Sequence, residues 1–134
     1  MNIISLAAAL ALAVTVAHAK GGRTLATAPI YGGPTAVSEI CFVTNYSSAA
    51  VQLGSVAVKD NTGQGSLTAT ANSCAGPIAS GGSCRYTVAI PQPPSAAYFC
   101  EVTAKVTAAI AADLRLTNEA LDVNATGLSN EPGK

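Results

Sequence analysis

The chain has 134 residues, seven Lys and Arg against seven Asp and Glu, and one histidine. With 10% of its residues charged and no net charge, it carries no electrostatic field suited to nucleic acid or an anionic membrane. So few charges also give little protection against self-association, which points to a partner or an oligomer.

The first feature in chain order is an apolar run from Ile3 to Ala17, broken only by Ser5 and Thr15. Ala17-His18-Ala19 follows, with small residues at the two positions that signal peptidase inspects. Residues 1–19 therefore read as an export signal cleaved after Ala19. The apolar core is shorter than the roughly 20 residues of a spanning helix, and no cysteine follows the cleavage point to take a lipid. The expected location is secreted or periplasmic, with no membrane span after cleavage. The only histidine, His18, leaves with the signal.

From Lys20 the chain is rich in Val, Thr, Ala, Ser and Gly, with Gly and Pro at short intervals. That composition predicts many short strands. Residues 20–34 read as an N-terminal arm containing a strand at 23–28 and ending at Gly32-Gly33-Pro34. Further strands are predicted at 38–45, 51–59, 66–71, 83–90, 98–106, 112–118 and 121–125. Turn residues separate them, notably at 45–48, 60–65, 81–82 and 91–94. A β domain over 35–128 is expected, with 129–134 as a flexible tail.

A period of two is clearest in two stretches. Cys84, Tyr86, Val88 and Ile90 share one face of their strand, and Tyr98, Cys100, Val102, Ala104 and Val106 share one face of theirs. Residues 38–45 fit less simply: Cys41 and Val43 lie on one face, Ile40 and Phe42 on the other. Either both faces are covered or the register is shifted. Val102, Val106, Ile110 and Leu114 also recur at helical spacing through an alanine-rich run. The β-branched residues of 102–107 favour strand there, and 108–112 is open between strand and helix.

Four cysteines, Cys41, Cys74, Cys84 and Cys100, suit an oxidising compartment. Loop entropy does not choose among their pairings: 74–84 with 41–100 closes loops worth roughly 2.8 and 4.3 kcal/mol, and 41–74 with 84–100 roughly 3.8 and 3.1. Local geometry favours the first set, because residues 75–83 are rich in turn formers that bring Cys74 and Cys84 together. Cys41 and Cys100 would then join two sheets.

Tyr98-Phe99-Cys100 resembles the Tyr-x-Cys that opens strand F of immunoglobulin domains, with Cys41 in the place of the strand-B cysteine. The chain departs from that pattern in having no tryptophan. Cys74, Ile78, Gly81-Gly82-Ser83-Cys84 and Tyr86-Thr87-Val88 before the prolines are similar to a pattern in bacterial immunoglobulin-like domains of the ASPM/SPD-2/Hydin type. Residues 114–118 and 121–127 are similar to the closing strands of such domains. Over about 35–128 the resemblance implies an all-β, disulfide-stapled, immunoglobulin-like β-sandwich of about seven or eight strands, usually a structural or interaction module. It carries over no catalytic residue.

The chemistry available to the exported chain is narrow. Without histidine no Ser-His-Asp or Cys-His site can be assembled, and oxidised cysteines leave zinc without its usual ligands. Glu101 is expected on an outward strand face, and Glu39, Asp60, Asp113, Glu119, Asp122 and Glu131 form no motif and read as solvated. Residues 60–65 read as a hairpin connection rather than a calcium loop. Asn45-Tyr46-Ser47 and Asn124-Ala125-Thr126 match the glycosylation acceptor pattern. Tyr86 and Tyr98 are expected in the core, and Tyr31 and Tyr46 either as exposed contacts or as loop packing. The expectation is a module with no catalytic, metal or cofactor site, whose partner is another protein or a cell-surface component. One alternative is a self-assembling pilin-like subunit using the arm at 20–31, although Pro29 disfavours that arm as a central strand. Another is a small enzyme inhibitor presenting Pro91-Gln92-Pro93-Pro94.

Overall fold

The computed structural model describes residues 22–63, 65–122 and 127–130. The expected signal at 1–19 and the triplet at Asn124 lie outside them. The elements are β1 (Arg23–Ala26), β2 (Ala36–Asn45), β3 (Leu53–Asp60), β4 (Ala69–Asn72), β5 (Ser83–Ala89), β6 (Tyr98–Ala104), α1 (Ala108–Ala112), β7 (Leu114–Asp122) and β8 (Gly127–Asn130). They form two sheets, ordered β1-β6-β3 and β4-β5-β2-β7-β8, with every strand pair antiparallel.

Alternation places the core between the sheets. Cys41 and Val43 of β2, Cys84 and Val88 of β5, Leu114 and Leu116 of β7 and Val58 of β3 are buried together with Tyr98, Cys100, Val102 and Ala104 of β6. Ile40 lies on the opposite face of β2 from Cys41 and is also buried, with Phe42 beside it half-buried. Both faces of this central strand therefore bury side chains, Cys41 and Val43 in the core between the sheets and Ile40 outside it.

The closing region differs from the sequence reading. Residues 108–112 form a helix, begun where the Thr107 hydroxyl accepts a hydrogen bond from Ile110 N–H at 3.3 Å. This N-cap, followed by alanines, overrides strand propensity and ends β6 at Ala104, so Val106 stays outside it. The strand expected at 112–118 and the start of the one expected at 121–125 merge into one continuous β7, with 123–125 outside the described residues. Asn118, which looked like a strand end, turns inward and is completely buried. The final pairing, β7 with β8, runs to Asn130, past the boundary expected at 128.

Two disulfides are present, one between the layers and one within a layer. Cys41 on β2 is joined to Cys100 on β6, across the sheets, with Cα atoms 5.6 Å apart. Cys74 is joined to Cys84, 5.0 Å apart, closing the loop between β4 and β5. Two such bonds fit an oxidising, extracellular or periplasmic compartment. Among the described residues no helix is long and apolar enough to cross a membrane.

Candidate functional site

One end of the sandwich is organised by Asn45, the last residue of β2, whose side chain is fully buried. Its Nδ2 donates to the carbonyl oxygens of Ala49 at 2.8 Å and Ile78 at 3.0 Å. Its Oδ1 accepts from the Ser47 N–H at 2.9 Å and the Ser47 hydroxyl at 2.6 Å. The main chain of Asn45 also pairs with Gly81 and Gly82. One amide thus fixes loop 46–50 against loop 78–82, and the Ser80 hydroxyl adds a bond to the Ser47 carbonyl. The nitrogen that a glycan would need is already committed inside the protein, so the Asn45 triplet is a structural device rather than an accessible acceptor.

Fixing those loops presents Tyr46, whose N–H donates to the Asp113 carbonyl at 2.9 Å while its side chain is 63% exposed. The Arg115 guanidinium lies 5.5 Å from the centre of the Tyr46 ring, within cation–π range. Where loop 46–50 runs on toward β3, Ala50 to Gly54, Lys105 to Thr107 and Ile110 line an open groove of about 540 Å³. Val106 and Ile110 are half-buried there and pack on the core, whereas Lys105 is exposed. An exposed aromatic, a cation and an apolar groove make a composition enriched where proteins meet other molecules.

The opposite end is chemically different. Glu39, in phase with Cys41 and Val43, points inward and has no exposed surface. Burial raises its carboxyl from 4.5 to about 8, and the neighbouring Asn118 lowers it in part. Yet neither carboxyl oxygen, nor the Asn118 Oδ1, has a protein hydrogen-bond partner of ordinary geometry. Asn118 Nδ2 donates to the Tyr98 carbonyl at 2.9 Å. Burial also raises the Tyr98 hydroxyl, with smaller contributions from the charges of Asp60 and Glu39. Burial penalises the charged carboxylate more than Asn118 supports it, so the neutral acid is the form this core accommodates.

The remaining predicted positions are dispersed. Tyr31 is 51% exposed but precedes β2, whereas Tyr46 follows it, so the ten residues of that strand hold the two tyrosines at opposite ends. Tyr98 is buried and Tyr86 half-buried. Gln92 ties the proline loop back to β2 through bonds from Nε2 to the carbonyls of Ala36 and Ile90. Glu101 sits on the outward face of β6, paired with Lys59 at 2.7 Å. Residues 60–63 turn tightly, with Gly63 N–H on the Asp60 carbonyl, and lead to a single bridge between Lys59 and Ser66. Among the described residues no three or more of His, Cys, Asp and Glu gather as they would around a metal ion.

From sequence Glu39 reads as a solvated acid, Asn45 as part of an acceptor triplet and Asn118 as a strand end, although Glu39 and Asn45 stand in phase with Cys41 and Val43. Comparison with protein-family models, curated proteins and solved structures finds no match to this chain.

Proposed function

We propose that this chain is an exported immunoglobulin-like domain that binds another protein or a surface component and catalyses no reaction. The observation that carries the reading is the end of the sandwich that presents the exposed Tyr46–Arg115 pair together with a largely apolar groove of about 540 Å³ flanked by Lys105. A rigid base supports that surface, since Asn45 holds its loops from within. Exposed tyrosine and arginine are among the groups that dominate protein-binding energetics.

Support for the immunoglobulin-like part comes from the four central strands. β2 and β5 lie in one sheet, β3 and β6 in the other, and a disulfide joins β2 to β6. The outer strands depart from the antibody arrangement. There the first strand flanks the second and the last flanks the sixth; here β1 flanks β6 and β7 flanks β2.

The test is affinity capture from the native envelope fraction, identification of the captured species, and titration of the purified pair. Tyr46→Ala, Arg115→Ala and Lys105→Glu alter exposed side chains and should each weaken binding by about tenfold or more, with unchanged melting. Tyr31→Ala, at the other end, should bind like the wild type. Equal affinity for all four variants, or sustained turnover of a substrate by the purified chain, would reject the proposal.

A further inference from the structure

The arm that opens the described chain is an edge strand of the smaller sheet. β1 pairs through its backbone with β6 and with no other strand. Beyond β1, Thr27 N–H reaches the Cys100 carbonyl at 3.0 Å, and Ile30 exchanges bonds with Tyr98 at 2.8 and 2.9 Å. The Thr27 hydroxyl also accepts from Cys100 N–H at 3.0 Å. Of its side chains, Arg23, Thr24 and Ala26 are exposed, Leu25 and Ile30 are half-buried, and Thr27 is buried. Both disulfides lie downstream and neither ties the arm down. It is a strand held by main-chain bonds and two half-buried apolar groups, on an edge.

What it covers is not marginal. β6 carries Cys100 and Val102, both fully buried, and its free edge would bare a row of main-chain donors and acceptors beside the core. An open β6 therefore demands a strand, and the strand whose register and side chains fit is this arm. The linker to β2 is short and contains Gly32-Gly33-Pro34, with Gly33 at φ 87°, a conformation side chains resist. Exchange of an identical element across such a short hinge is a low-cost route to a dimer. Zero net charge places no electrostatic barrier between copies.

We infer that β6 seats the arm of a second copy of this chain, residues 23–30, in the same register that the arm adopts on its own β6. The copies exchange identical elements, so every contact of the closed form is remade between chains. The inference is independent of the proposed groove, which lies on different residues.

Thr24 and Thr103 stand directly opposite each other in the antiparallel register, at cross-strand spacing. Two full-length chains, exported with their own disulfides formed, would carry Thr24→Cys and Thr103→Cys separately, one of them isotopically labelled. Mixed at high concentration and oxidised, they should yield a covalent heterodimer whose peptide map contains a link between positions 24 and 103. Adding Gly33→Ala to both chains, where no atom lies within 4 Å of a new Cβ, penalises only the closed hinge and should raise the yield roughly fivefold or more. A control chain carrying both cysteines should link internally when dilute. If the control links internally and the mixture gives no 24–103 link after prolonged incubation, the arm does not exchange and the inference falls. If the control itself does not link, the arm does not occupy β6, and the inference falls as well.

Discussion

Replacing Glu39 with glutamine should remove a pH dependence from the stability of this domain. In the folded chain, burial raises the carboxyl from 4.5 to about 8, against a smaller opposing effect of Asn118. In the unfolded chain the same group returns to its ordinary value. Between those limits the folded form keeps a proton that the unfolded form has released, so stability falls as pH rises. The slope is about 1.4 kcal/mol per pH unit, or about 5 kcal/mol over the whole window. That is comparable with the entire stability of many domains, which runs to about 5–15 kcal/mol. Below the window both states are protonated and above it both are ionised, so the contribution levels off at each end. Glutamine preserves the shape and has nothing to titrate. Urea unfolding with disulfides intact, at about pH 5, 6, 7 and 8, would compare the two chains. The stability difference should move in favour of Glu39→Gln by about 1.4 kcal/mol with each unit. Two curves that stay parallel across the window would show that Glu39 is not a buried neutral acid, and the reasoning would be refuted.

Asn45→Ala strands the Ala49 and Ile78 carbonyls and should cost about 3 kcal/mol by urea unfolding; a cost under about 1 kcal/mol would deny Asn45 its organising role. Changing Cys74 and Cys84 together to serine opens a separation of 10 residues and should cost about 3 kcal/mol, whereas the same change at Cys41 and Cys100, separated by 59, should cost about 4 kcal/mol or more. Calorimetry of both double variants tests that order. Gly32→Ala brings a Cβ to 2.7 Å from the Cβ atoms of both Ala36 and Ala120, and thermal melts should register a loss of about 1–3 kcal/mol.

The central strands were readable because their residues alternate without interruption: Cys84, Tyr86 and Val88, then Tyr98, Cys100, Val102 and Ala104, describe β5 and β6 almost directly. The same alternation runs through β2, but residue type obscured it. Glu39 was counted with the solvated acids, although its phase with Cys41 and Val43 turns it inward. Helical spacing through Val102, Val106, Ile110 and Leu114 blurred the end of β6, where the decisive event is local, the Thr107 cap. Asn118 read as a strand terminus because asparagine favours turns; an amide that bonds the Tyr98 carbonyl from across the core instead lets β7 run on. Of the groove end, only Tyr46 stands out in the sequence. Arg115 reaches it through the pairing of β2 with β7, and Gly54 meets Lys105 in the groove through that of β3 with β6. The seating of β1 on β6 is equally non-local, and nothing in the arm's own residues names its partner.

The bond between Cys41 and Cys100 also decides how this domain responds to being stretched. Tension entering through the arm can peel β1 from β6 and draw out the start of β2, but extension stops at Cys41. Tension from the other side can unravel β7 and α1 and stops at Cys100. The 59-residue separation between them, containing β3, β4 and β5, is off the load path. About 200 Å of contour length is thereby withheld at roughly 3.4 Å per residue. Under pulling, the oxidised protein behaves as a short tether with a folded knot in its middle, and reduction is what would let the rest of the thread pay out.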